Sequence, residues 1–215
     1  MSRVFRVAFA IALLLSAGTA AIWFEREAIL TGLASLLISE DPVQPADLMA
    51  ISISNPRKGA LEAARLYQQG MAPRVFVITG SDHPVEQSDI ATWKLGVPRC
   101  QSDGEAAVMI LELSGVPRDA IMALPDPIDG FVPEVNAIAD YVRQSGSRSV
   151  LFIAVRSHTA RARWLLRRAL PSGTRLIIHS PESDGFRADS WWHTRDGSRA
   201  VIDEYMHGVN SIVLR

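Results

Sequence analysis

The chain has 215 residues and carries 22 Lys and Arg against 23 Asp and Glu, a formal net charge of −1. That length holds one domain with an appendage, and 48% hydrophobic against 21% charged residues excludes a disordered or collagen-like chain. Balanced charge argues against a nucleic-acid binder, which needs a concentrated basic face, and the single cysteine, Cys100, rules out an internal disulfide or a multi-cysteine zinc site.

The first element is apolar. Val7 to Phe24 is a run of 18 residues without a charge, preceded by Arg3 and Arg6 and followed by Glu25, Arg26 and Glu27. As a helix it reaches the lower edge of what spans about 30 Å of hydrocarbon. The basic residues ahead of it predict an N-terminus left inside and the rest translocated. Trp23 and Phe24 stand where an interfacial aromatic anchor would. A cleavable signal peptide is the competing reading, because Ala17, Gly18, Thr19 and Ala20 are small. The stretch Ala28 to Ile38 has only 11 residues, too few to span, and reads as a helix lying along the membrane or packed on the domain. The expected organisation is an anchor and juxtamembrane helix over 1–40 and an α/β domain over 41–215, placed outside the cytoplasm.

After Asp41-Pro42 the pattern changes. Leu48 to Ser54 reads as a strand ended by Asn55-Pro56, and Gly59 to Gln69 as a helix stopped by Gly70. Arg74 to Ile78 is a buried-strand pattern closing on Thr79-Gly80-Ser81-Asp82. A polar segment with Trp93 leads to a helix from about Glu105 to Leu113, which Gly115-Val116-Pro117 breaks. Ile121 to Leu124 is a brief strand, Val132 to Gln144 a helix, and Ser149 to Val155 the strongest strand of all. Helix Thr159 to Leu170, strand Arg175 to Ile178 and helix Arg199 to Val213 complete the series. Such alternation, with strands that are continuously apolar, predicts a Rossmann-like three-layer α/β fold with a mostly parallel sheet.

Ligands of such folds meet the loops beyond the carboxyl ends of the strands. Those loops offer Ser54, Asn55 and Arg57, then Gly80, Ser81, Asp82 and His83, then Asp126, and finally Arg156, Ser157 and His158. His158 has the best claim to chemistry. Its imidazole suits a general base, and Arg156 and Arg161 suit an anionic group. Capping the next helix is its competing role. The bland reading of Glu105 is helix-terminal charge, and that of Glu204 a surface residue on a helix whose apolar face is Val201, Ile202, Tyr205, Val209 and Ile212. Arg163, Arg167 and Arg168 read as the solvated face of their helix. Asp82-His83 lacks any accompanying metal-ligand pattern, so no metal is expected. Trp191-Trp192-His193 reads as a stacking platform, a membrane-facing lip or core. No Gly-x-Ser-x-Gly, Gly-x-x-x-x-Gly-Lys or Gly-x-Gly-x-x-Gly motif is present, which removes the best signatures of a serine hydrolase, a P-loop NTPase and a dinucleotide enzyme.

Four pieces taken together carry a resemblance. They are Ala-Arg-Leu-Tyr-x-x-Gly-x-Ala-Pro at Ala64 to Pro73, the strand ending Ile78-Thr79-Gly80-Ser81, Glu105-Ala106 leading to Gly115-Val116-Pro117, and His158-Thr159-x-Arg161-Ala162, with a tryptophan-led tail bearing Glu204. From Asp47 onward the chain resembles the YdcF-like domain family (ElyC/SanA-type envelope proteins). The resemblance implies a Rossmann-like domain on a single bacterial inner-membrane anchor, its N-terminus cytoplasmic and its domain periplasmic. It implies work in cell-envelope and cell-wall biogenesis, on a polyprenyl-phosphate lipid-carrier or peptidoglycan intermediate. The family's polar positions carry over to Gly80, Glu105, His158, Arg161 and Glu204, of which His158, Arg161, Glu105 and Glu204 are the expected catalytic residues, while Ser54, Asn55, Gly80, Ser81, Asp82 and Arg156 at the strand ends are the expected ligand-binding ones. The alternative the resemblance leaves is a non-catalytic envelope factor that binds lipid or a partner protein. This chain departs from the family at the end of the first strand, where Ser52-Ile53-Ser54-Asn55 replaces paired glycines. It departs again at Gly80-Ser81, at Ala154-Val155 and at Phe131. Side chains then stand where glycine would admit a phosphate.

Overall fold

The computed structural model describes residues 3–80, 102–128 and 130–213. Five strands form one parallel sheet: β1 (Leu48–Ile51), β2 (Val75–Gly80), β3 (Ile121–Ile128), β4 (Ser149–Ile153) and β5 (Arg175–His179), in the order β3-β2-β1-β4-β5. The helices are α1 (Arg3–Ser35), α2 (Pro56–Gln68), α3 (Asp103–Leu113), α4 (Phe131–Ser145), α5 (Thr159–Ala169) and α6 (Arg195–Val213). The fold is α/β and Rossmann-like, as its pattern of elements predicts. Ser81, Asp82, His83 and Trp93 lie outside the described residues.

The central strands are apolar on both faces because both are covered. Every residue of β1 and β4 is buried. Alternation along the strands sorts the side chains into two cores. Met49, Ile51, Val75, Val77, Leu151 and Ile153 pack under α2 and α3. Leu48, Ala50, Phe76, Ile78, Val150 and Phe152 pack under α4 and α5. One approach is unusually close. A Cβ on Gly59 of α2 would stand 2.5 Å from Cγ2 of Ile51, so only glycine lets the helix lie this near β1.

Local chemistry sets the ends of the helices. The Asn55 side chain accepts the Lys58 amide to cap α2, Pro56 occupies its first turn, and Gly70 leaves it at φ 74°. β3 runs four residues beyond the expected Ile121–Leu124, through Pro125 and Pro127. Prolines are tolerated there because β3 is an edge strand, and its register against β2 shifts between Ile78 and Gly80.

α1 is one continuous helix of 33 residues, about 50 Å long. Phe9, Ile11, Leu13, Trp23 and Phe24 are exposed on it, and the Arg26 guanidinium lies 4.1 Å over the Trp23 ring. Most side chains of the apolar run are among those not described, and among the described residues no helix is long and apolar enough to cross a membrane. The carboxyl-terminal end of α1 belongs to the domain. Ala34 and Leu37 form a third small core with Val201, flanked by Phe186, Ala188 and Trp191. Trp191 donates its indole N–H to the Leu30 carbonyl at 2.9 Å, and the Tyr205 hydroxyl donates to that of Leu33 at 2.7 Å. The stretch after Ala28 therefore packs on the domain.

Candidate functional site

The strand order reverses at β1 and β4, which lie side by side, and the crevice beyond their carboxyl ends is where a fold of this kind presents ligands. The chain leaving β4 makes a single 3-10 turn, Arg156–His158, before entering α5. Thr159 fixes that turn: fully buried, it donates to the Arg156 carbonyl at 2.7 Å and accepts the Ser39 amide at 2.9 Å. His158 stands at the N-cap position of α5, but its side chain makes no capping bond. It faces inward instead.

Its Nε2 lies 3.5 Å from Glu204 Oε2, and its Nδ1 is buried without a hydrogen-bond partner. Glu204 comes from α6 and is 2% exposed. Arg161, one turn into α5, holds it bidentately, with Nε at 2.6 Å and the second nitrogen at 2.8 Å. The same guanidinium lies 4.3 Å over the Phe131 ring. Burial, more than the opposing pull of Glu204, keeps the His158 pKa below its ordinary value, and the Arg161 charge adds to the effect. A neutral imidazole at neutral pH results. Nε2 faces the Glu204 carboxyl at ion-pair distance, without hydrogen-bond geometry.

Two cavities meet at this imidazole. One, of about 570 Å³, is walled chiefly by Ile53, Phe131, Val132, Pro133 and Leu165, with Arg161 and His158 as its polar floor. The other, of about 590 Å³, is lined by Asn55, Lys58, Asp184, Arg187, Asp196 and Trp191 among others. Among the described residues His158 is the one common to both linings.

The site holds an acid that motif reading missed. Glu134, in the first turns of α4, is fully buried. Its Oε1 accepts the Ile53 amide at 3.1 Å, and its Oε2 is buried without a partner. Burial pushes the Glu134 carboxyl up to about 8, against the pull of the Ser52 hydroxyl, the Ile53 amide and Arg161. It is a neutral acid at pH 7, set behind the loop that lines the first cavity. A signal was present in the sequence: Glu134, Ile138 and Val142 share one helical stripe, and an acid on an apolar stripe is out of place on a solvated helix face.

The other candidates are dispersed. Ser54 lines the first cavity and hydrogen-bonds Ser52 at 3.1 Å, and Asn55 lines the second while capping α2. Glu105 stands exposed in the first turn of α3, its amide capped by Ser102, and lines neither cavity. Gly80 ends β2. Asp126 falls within β3, where its side chain is not described. Arg156 turns toward Glu40 at 3.2 Å, in an ion pair without hydrogen-bond geometry, while its amide is accepted by Asp184. Arg163 corrects the expectation of a solvated face. It reaches Ser39 Oγ at 2.6 Å and Asp41 Oδ2 at 2.7 Å, and binds the segment after α1 to α5. Burial favours the neutral Asp41, but Arg163 and the Ile178 amide outweigh it and hold that carboxyl below its usual range. Arg168 stacks 3.8 Å from the Trp164 ring.

Comparisons with protein-family models, with curated proteins and with solved structures returned no match for this chain.

Proposed function

We propose that the chain is a membrane-tethered cell-envelope protein of the YdcF-like type that acts on a phosphorylated or glycosylated lipid-carrier or peptidoglycan intermediate. The observation that supports this reading is the neutral His158 imidazole, set between two cavities with Nδ1 unpartnered and Nε2 beside a buried carboxylate. In that setting His158 is the acid/base, Glu204 orients it, and Arg161 holds Glu204 in place. Two of the Arg161 donors are spent on Glu204, so its part is positioning more than the anion clamp expected from sequence. The uncharged run of α1 is the tether. It leaves the N-terminus cytoplasmic and the α/β domain periplasmic at a bacterial inner membrane.

The test is complementation of an envelope-stress phenotype. Full rescue by His158→Ala, at equal protein level and equal thermal stability, would remove His158 from any mechanism. A second reading, a non-catalytic factor that binds lipid or a partner, is favoured by Ser52-Ile53-Ser54-Asn55 at the end of β1, where side chains narrow the approach of a phosphate. It expects His158→Ala to be silent and deletion of residues 1–27 to abolish rescue. Lipid extraction from the purified full chain separates both readings from an envelope role without lipid: recovery of a phosphorylated polyprenol supports lipid-carrier handling.

A further inference from the structure

The two cavities that share His158 differ in chemistry. The first sets aliphatic, aromatic and proline side chains beside Ser54, Arg161, His207 and Asn210, and no carboxylate is among its described lining residues. The second carries hydrogen-bonding groups of both senses and a balanced set of charges, Lys58 and Arg187 against Asp184 and Asp196, with Arg187 held by Asp189 and Asp184 accepting the Arg156 and Phe186 amides. A strong anion would meet two carboxylates there and a cation two basic groups, so an uncharged, multiply hydroxylated molecule matches that lining best. Its aromatic wall is held in place. Trp191 is fixed by its indole bond to Leu30 and stands edge-on to Trp192 at 5.9 Å, so it offers a flat apolar surface with little rotamer entropy left to lose.

We propose that the second cavity is a binding site for a neutral sugar ring, with Trp191 as its apolar wall and Lys58, Arg187 and Asp196 as its hydrogen-bonding rim. The inference rests on the lipid-linked substrate proposed above and gives that substrate a direction. The sugar occupies the polar cavity, the apolar portion runs past Phe131 and Leu165, and the link between them lies beside the His158 imidazole.

The experiment uses the full chain in detergent micelles, with N-acetylglucosamine as the probe and glucose 6-phosphate as the charged control. Saturable shifts of the Trp191 indole resonance with N-acetylglucosamine are expected, with the phosphorylated sugar weaker. Ser190→Trp, which fills the cavity, should abolish those shifts, and Lys58→Met, on an exposed first-turn position of α2, should weaken binding about tenfold. Dodecyl phosphate, a probe for the apolar cavity, should bind Ser190→Trp as it binds the parent. Absence of sugar-induced shifts, or shifts that survive in both variants, overturns the proposal. The two inferences fail separately. Sugar binding together with full rescue by His158→Ala removes the catalytic reading and leaves the site. Loss of rescue in His158→Ala without any sugar binding removes the site and leaves the catalytic reading.

Discussion

Glu134 and His158 are both buried, and their ionisations are displaced in opposite directions by the same cause. For Glu134 the folded carboxyl titrates at about 8 while the unfolded one titrates at its ordinary 4.5, so the native state holds the extra proton across that interval. Stability is therefore greatest below 4.5, falls as pH rises through the window up to about 8, and levels off above it, with a limiting slope of about 1.4 kcal/mol per pH unit. Glu134→Gln keeps the acceptor for the Ile53 amide and cannot ionise. Chemical denaturation at several pH values should show that slope flattened, and the variant more stable than the parent above pH 8. His158 runs the other way: its folded pKa lies below 6.5, so its contribution is complete above that value and is lost as pH falls. Its NMR titration should have a midpoint under 6.5, and Glu204→Gln should lower it further by removing the neighbouring negative charge.

Among the elements, one tight constraint is the contact of α2 with β1. Gly59→Ala places a methyl group against a buried, β-branched Ile51, and should cost about 1–3 kcal/mol by thermal or urea unfolding. The pairing of α6 with α5 is held by charge. Glu204→Ala strands the Arg161 guanidinium in a mostly buried position and should cost about 3 kcal/mol, more than Arg163→Ala, which removes a strap of three hydrogen bonds at the edge of the domain. Much of this architecture was legible in the sequence. The unbroken apolar runs of β1 and β4 announced a covered parallel sheet, and Asn55-Pro56 and Gly70 marked the ends of α2. β3 was cut short because Pro125 and Pro127 read as breakers, and nothing local says that a strand will lie at an edge. At the site, His158 was legible as a polar residue just past a strand end, with Arg161 three residues on, whereas Glu204, inside a helix, read equally as surface. Glu134 was hidden because an acid in a first helical turn reads as dipole complement. Arg163 was misread because arginines three and four apart on a helix resemble a wetted face until the chain around Ser39 and Asp41 folds over them.

For the molecule as a whole, the carboxyl-terminal end of α1 is part of the α/β unit. Leu30, Leu33, Ala34 and Leu37 are bonded to or packed against α6 and its preceding turn. The Leu37 carbonyl also accepts the Ala160 amide. A chain starting at Ala28 should keep the melting temperature of the parent domain, whereas one starting at Asp41 should lose the small core at Val201 and unfold several degrees lower in a thermal scan. The same packing has a mechanical side. α6 is gripped along one side by α1 through Trp191 and Tyr205, and from its interior it lowers Glu204 onto His158 and Arg161. A tug or tilt transmitted along the long first helix would thus reach the carboxylate beside the imidazole, so the attitude of that helix and the geometry of the crevice share one lever.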